Sequence, residues 1–360
     1  MTKIKSIEVS KVDLKLTRPY TIAFKSVDHV ENAILKITLD NGLVGRGAAN
    51  PSQQVVGESL DEGLAALEEA IEGNHHWAGL IGRKIEDIDA ICVDIQRHVT
   101  STCARIALEV GLYDCYAQYE KVPLVELLGR EFESMPTSIT IGIKDVAATL
   151  IEAREYYSRG FSYIKVKLGN NLEEDIERIV KLREEFADKI FIRVDANQGY
   201  TLEELHQFYS KTLSSNLELI EQPLPADQKE VMRSLAPDLR RVLAADESLI
   251  TTKDAQELIG DPPACGIFNI KLMKCGGITQ AKIISHLAQT ADIDLMWGCN
   301  DESIISISAA LHTALSCRNT RYLDLDGSLD LEQDVVNGGF ILKNGVMTTN
   351  ELPGLGLTEL

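Results

Sequence analysis

The sequence predicts an α/β protein: a (β/α)8-type barrel preceded by an α+β unit. Three observations carry that reading. The first fifty residues alternate as antiparallel strands do, eight short apolar runs then alternate with helical segments, and a polar residue closes each run at a near-constant step. At roughly 150 residues per domain, 360 residues have room for both parts.

Residues 4–16 alternate apolar and polar, and residues 33–40 do the same before Asn41-Gly42. Asn-Gly between alternating runs predicts a hairpin, because both turn positions need positive φ. Segments 58–73, 84–97 and 101–120 have helical spacing; the last places Ala104, Ile106, Ala107, Val110, Gly111 and Cys115 on helical positions. From about residue 135 strands are expected at 138–142, 163–168, 191–195, 217–221, 241–246, 267–271, 294–299 and 321–326. Helices are expected between them, at 172–186, 202–213, 253–258 and 279–291 among others. The polar residues at the strand ends are Thr140, Lys165, Asp195, Glu221, Asp246, Lys271, Cys299 and Asp324, spaced 25 to 30 residues apart. That step is one βα unit, and eight near-continuously apolar strands suit a closed parallel barrel. A doubly wound sheet is the rival, but it would show fewer strands and a Gly-rich dinucleotide turn.

Composition narrows the function. Hydrophobic residues at 44% and charged residues at 25% suit a globular chain, and the net charge of −19 without a basic stretch argues against nucleic acid. The N-terminus lacks the apolar core of a secretory signal and no run approaches 18 apolar residues, so a cytoplasmic protein without a membrane span is expected. Seven cysteines without a CxxC pair or dense cluster predict reduced, mostly buried thiols. A closed barrel with a cap need not form a homo-oligomer.

In a barrel the strand C-termini converge on one face, which holds the active site. Asp195, Glu221 and Asp246 would bring three hard oxygen ligands from consecutive strands, a set suited to one Mg²⁺ per subunit. Each could instead cap a following helix, Asp246 before Glu247-Ser248 in particular. Lys165 and Lys167 lie two apart and share a face, so mutual repulsion should lower their pKa and make one a usable base; solvated lysines at a strand end are the plainer alternative. Lys271 comes four strands later, across the ring. Two lysines facing each other across a metal form a two-base site: one removes a proton from a carbon and the other returns it on the opposite face. Removing a proton α to a carboxylate develops a dianionic ene-diolate, which a metal and nearby ammonium groups stabilise.

The set Lys165-Val-Lys167, Val194-Asp195-Ala-Asn197, Glu221-Gln-Pro223, Ala245-Asp246-Glu-Ser248 and Lys271-Leu-Met-Lys-Cys-Gly-Gly277 resembles the muconate-lactonizing subgroup of the enolase superfamily over essentially the whole chain. The resemblance implies a modified (β/α)7β barrel over 129–327, an α+β capping domain over 1–128, and a segment over 328–360 returning to the cap. It also implies Asp195, Glu221 and Asp246 as Mg²⁺ ligands, Lys167 and Lys271 as the acid/base pair, and Lys165 as an assistant that touches the substrate carboxylate, with Asn197 in support. Cys299 stands where mandelate-racemase-like members carry a His.

Asp324-Leu-Asp326 resembles the dipeptide epimerases, where such a pair implies binding of the free α-ammonium of the substrate while the lysines invert the second residue's α-carbon. An Asp-Leu-Asp-Gly turn is the structural alternative. The same resemblance puts Thr140 and Cys299 at substrate-contacting strand ends and Lys25 in an early loop that closes over the barrel. The expected substrate is an L-Ala-L-Xaa dipeptide with an uncharged or polar second residue. L-Ala-D/L-Glu specificity stays open through Lys25, as do polar or cationic side chains through Asn300-Asp301-Glu302. Phe24 and Trp297 could line a pocket or belong to the core. Alternative reactions on the same residues are those of o-succinylbenzoate synthase, N-acylamino acid racemase and muconate cycloisomerase. His29, His75 and His76 suggest surface roles, and Gly276-Gly277 either a phosphate turn or a tight βα turn.

Overall fold

The computed structural model describes residues 1–22, 25–73 and 77–360, without the side chains of residues 19–22, 25–27 and Gln54. Phe24, His75, His76 and the Lys25 side chain therefore lie outside the described residues.

An antiparallel sheet opens the chain: β1 (Ile4–Ile22), β2 (Lys25–Leu39) and β3 (Val44–Ala49), in that order. The Asn41-Gly42 hairpin is where the alternation places it, with Gly42 at φ +90° and Thr38 opposite Val44. The longer helices that follow are α1 (Leu60–Glu72), α2 (Ile88–His98) and α3 (Thr102–Glu120). Ser59 and Glu62 form a capping box on α1, and the Ser101 hydroxyl accepts the Ala104 N–H on α3. Helix α3 lies almost against the backbone of β3, because a side chain at Gly47 would collide with the Ala107 carbonyl. The small residues read along this helix serve that approach.

The barrel strands are β4 (Ile139–Ile141), β5 (Tyr163–Lys167), β6 (Phe191–Asp195), β7 (Leu219–Glu221), β8 (Leu243–Ala245), β9 (Ile267–Ile270), β10 (Asp294–Trp297) and β11 (Thr320–Leu323). They pair in parallel in sequential order. Ser138 N–H donates to the Leu323 carbonyl at 3.0 Å, which brings the last strand to the first. Connecting helices include α4 (Val146–Ser158), α5 (Leu172–Phe186), α6 (Leu202–Thr212), α7 (Thr252–Leu258), α8 (Ile278–Thr290) and α9 (Ile304–Ala314).

Differences from the sequence reading have local causes. The strand expected at 241–246 shortens to β8 because Pro237–Val242 forms a helix with proline in its first turn. Helix α9 carries no polar stripe, so periodicity does not reveal it; all but its first residue are buried. The barrel interior is not wholly aliphatic. Leu219, Ala244, Ile267 and Met296 make a small apolar cluster, but Arg193 runs through the lower layer. Its guanidinium meets Glu218 at 2.8 Å and the Ser138 hydroxyl at 3.2 Å, with the Tyr163 and Tyr322 rings 5.0 and 5.2 Å away.

Beyond the barrel, Phe340–Lys343 and Val346–Thr349 form a hairpin that pairs with Ser134–Pro136. Leu355 N–H then donates to Asp114 on α3 at 2.8 Å. All seven cysteines are free thiols, and no helix among the described residues is long and apolar enough to cross a membrane.

Buried His312 on α9 accepts the Val125 N–H at 2.9 Å, and burial pulls its pKa down to about 3. An imidazole whose pKa is lower folded than unfolded stabilises the fold fully above about 6.5 and loses that contribution as pH falls towards 3. A His312→Asn protein should therefore lose less stability than wild type between pH 7 and pH 4 in urea titrations. Equal losses would contradict this.

Candidate active site

Successive strands carry their terminal side chains to one mouth because parallel pairing keeps them level: Lys167 is opposite Asp195, and Asp195 opposite Glu221. Lys165, Asp195, Glu221, Asp246 and Asp324 are all nearly inaccessible to solvent. The sequence-selected residues thus come together, with Lys25 outside what is described.

Lys165 is the hub. Its Nζ lies 2.7 Å from Asp324 Oδ2, 2.7 Å from Glu221 Oε2 and 3.2 Å from Asp195 Oδ2. Lys167 Nζ reaches Asp195 Oδ2 at 2.7 Å and Asn197 Oδ1 at 3.0 Å. Lys271 Nζ is 3.0 Å from Asp246 Oδ2. Asp326 Oδ2 accepts the Thr140 N–H at 2.7 Å, and the Cys299 thiol lies 3.2 Å from the Asp324 carbonyl. Asp324 stands beside Asp195 and Glu221: strand β11 closes against β4, and Lys165 bridges all three carboxylates.

These charges set each other's protonation. Burial alone would lower the Lys165 pKa, but Asp324, Glu221 and Asp195 outweigh it and hold the ammonium well above its ordinary value. For Lys165 this reverses the expected fall. Lys271 is likewise raised, Asp246 and Glu221 overcoming the effect of burial. Burial would raise Asp195 and Asp246, yet the lysines hold both down. Glu221 goes the other way: burial, then the Asp195 charge, push it up to about 8. Burial and Asp324 push Asp326 up to about 7.

The donor chemistry suits Mg²⁺. Among the described residues no three carboxylate, imidazole or thiol groups form a ready cation cage, because ammonium groups bridge these carboxylates instead. Glu221 Oε2 nevertheless has only an ion-pair contact: Lys165 Nζ is 2.7 Å away but out of line for a hydrogen bond. A buried carboxylate with a raised pKa and an oxygen lacking a hydrogen bond, beside a second carboxylate, is a site that a small divalent cation would relieve.

Sequence reasoning missed two supporting residues. Asn269 Nδ2 donates to Glu221 Oε1 at 2.7 Å from β9, two positions before Lys271 and therefore on its face. Lys274, quoted only within a motif, pairs with Asp246 and donates to the Asn269 carbonyl at 3.0 Å. The period-two pattern of β9 could have exposed Asn269. Two alternatives also resolve. Trp297 is core, its indole donating to Thr320 Oγ1 at 2.9 Å. Gly276-Gly277 makes a tight turn, whose following Thr279 N–H already donates to the Glu109 carboxylate at 3.0 Å, so no phosphate belongs there. His29 is exposed beside Asp28.

Family models match nearly all of this arrangement: the mandelate racemase/muconate lactonizing enzyme N-terminal domain over residues 5–129 and the enolase C-terminal domain-like family over 148–359. The chain belongs to the dipeptide epimerases of the enolase superfamily, which are isomerases. It is 50% identical to an L-Lys-D/L-Arg epimerase of Desulforapulum autotrophicum over 99% of this chain and 100% of that one. It is 34% identical to an L-Ala-D/L-Glu epimerase of Bacillus subtilis over 99% and 96%. A Methylococcus capsulatus dipeptide epimerase complexed with Mg and the dipeptide L-Arg-D-Lys superposes with a TM-score of 0.94 at 49% identity, covering 99% of both chains. Mg²⁺ is the cofactor of this family.

Gly298 makes room for Lys271: a Cβ there would sit 2.6 Å from Asn269 Oδ1 and 3.0 Å from Lys271 Cε. Gly298→Ala should displace the Asn269 amide and Lys271 with it, and lower kcat on the order of 100-fold, with a far-ultraviolet spectrum like wild type. Unchanged kcat would contradict this.

Proposed function

We propose that this chain is a Mg²⁺-dependent epimerase of cationic dipeptides, inverting the α-carbon of the C-terminal residue by two-base proton transfer. Lys167 and Lys271 are the acid/base pair; Asp195, Glu221 and Asp246 hold the metal. Asp324 and Asp326 receive the substrate's α-ammonium, Lys165, Thr140, Cys299 and Lys25 contact substrate, and Asn197 steadies Lys167. In this reading residues 1–128 are a cap, 129–327 the catalytic barrel, and 328–360 a return to the cap. The observation that carries it is topological: the two lysines end strands four apart in an eight-stranded ring, with the carboxylates between them.

One lysine, as the free amine, takes the α-proton; the other, as ammonium, delivers a proton to the opposite face of the same carbon. Bound Mg²⁺ supplies positive charge at the substrate carboxylate. Lys165 keeps Asp195, Glu221 and Asp324 from repelling one another.

The cationic preference rests on the relatives named L-Lys-D/L-Arg epimerases, 50% and 49% identical to this chain, and on acidic groups beyond the trio. Glu302, after β10, is buried and pushed up to about 7 by that burial. Glu247 carries a buried oxygen without a hydrogen-bond partner. A net charge of −19 also favours the approach of cations. This reading replaces the uncharged second residue expected from sequence.

In D₂O with Mg²⁺, L-Lys-L-Arg and L-Arg-L-Lys should take up deuterium at the second α-carbon and yield a second diastereomer faster than L-Ala-L-Leu or L-Ala-L-Glu. Lys167→Ala and Lys271→Ala should each abolish exchange from one epimer only. Fastest turnover of a neutral dipeptide would refute the cationic preference. Exchange from no dipeptide would refute epimerisation and turn attention to N-acylamino acids and o-succinylbenzoate precursors. Chelating the metal should stop exchange and lower the melting temperature, and Mg²⁺ should restore both.

A further inference from the structure

Behind Lys167, outside the carboxylate cluster, lies a second set of buried charges with no part in the proposed chemistry. Asp175 and Arg178 on α5 are 1% and 2% exposed, and Tyr200, in the loop after β6, is 3% exposed. The Arg178 guanidinium pairs with Asp175 and also donates to the Lys167 carbonyl at 3.0 Å. The other Asp175 oxygen accepts the Gly169 N–H at 2.8 Å and the Tyr200 hydroxyl at 2.7 Å. Leu168 N–H donates to the Asp195 carbonyl at 2.7 Å. The two loops meet glycine against glycine: Gly169 has φ +104°, and a Cβ on Gly199 would sit 2.6 Å from Gly169 Cα.

An acidic residue in the first turn of a helix has an ordinary explanation, the helix dipole. That accounts for neither the buried arginine aimed at the Lys167 carbonyl nor the tyrosine arriving from another loop. Burying an ion pair costs desolvation that the pair seldom recovers fully. Here its hydrogen bonds fall on the backbone at Lys167 and Gly169, the segment that aims the Lys167 side chain.

We propose that Asp175, Arg178 and Tyr200 are positioning residues that lock the backbone of Lys167 against the loop following Asp195, and so fix the reach of one acid/base lysine but not the other. This rests on the assignment of Lys167 and Lys271 to opposite faces of the α-carbon. Lys271 lies on β9's exit and shares none of these contacts. A loosened clamp therefore degrades catalysis from one epimer selectively.

The mildest test is Tyr200→Phe, which removes one hydroxyl and keeps the ring. α-Deuterium uptake is measured separately from each epimer of the best dipeptide, on wild type, Tyr200→Phe, Arg178→Met and, as a packing control on the same helix, Ile179→Val. Tyr200→Phe should slow exchange about tenfold from the epimer that Lys167→Ala silences, and change the other less than twofold. Arg178→Met should do so more strongly, and Ile179→Val should not separate the two. Equal slowing of both epimers, or no slowing, overturns the proposal. Amide hydrogen exchange of Leu168 and Gly169 without substrate reads the clamp independently of turnover: it should quicken at least tenfold in Tyr200→Phe, and unchanged protection also overturns the proposal. Silence of the wild type towards every dipeptide would instead refute the functional reading, leaving amide exchange to judge the clamp.

Discussion

The ammonium of Lys165 is the contact on which the barrel mouth depends. It touches three buried carboxylates from three strands, Asp195, Glu221 and Asp324, and one of these belongs to the strand that closes the ring. Without it, like charges would be buried at distances where their repulsion in a poorly polarisable interior exceeds what the surrounding packing recovers. Lys167, Lys271 and Lys274 extend the compensation around the mouth. The balance is incomplete, because Glu221 remains well above its ordinary pKa. A site that stays short of positive charge after four lysines have contributed is suited to a divalent cation.

Rigidity at this mouth comes from outside it. On the Lys271 side, Glu109 of α3 accepts the Thr279 N–H at 3.0 Å, while Gln96 of α2 donates to Glu109 at 2.7 Å and to the Gly276 carbonyl at 3.2 Å. The N-terminal helices therefore grip the turn that follows Lys271. On the Lys167 side the restraint comes from the barrel's own helix α5 and the neighbouring loop. The restraint thus falls on the backbone at Lys167 and on the turn after Lys271, while the two ammonium groups point to Asp195 and Asp246.

Acidic groups recur beyond the metal-type trio, at Glu247, Glu302, Asp324 and Asp326. In such a setting substrate charge contributes twice, by long-range attraction and by relieving repulsion already built into the pocket.

The architecture was legible because parallel barrels repeat. Asn41-Gly42 fixed a hairpin locally, and the 25-to-30-residue step placed Lys167, Asp195, Glu221, Asp246 and Lys271 at strand ends without any knowledge of contacts. Helix α9 escaped notice because a segment buried on every side has no amphipathic period, and Asn269 because one amide among apolar residues looks like noise. Which lysine touches which carboxylate could not be read at all. Lys165 and Lys167 share a face in sequence, but Lys165 rises in pKa instead of falling because barrel closure brings Asp324 to it. The sequence by itself determined the residue types at the mouth and their order around the ring, since these follow from periodicity. Only the tertiary structure decided the charge state of each, since that depends on inverse distance and burial between groups up to 159 residues apart.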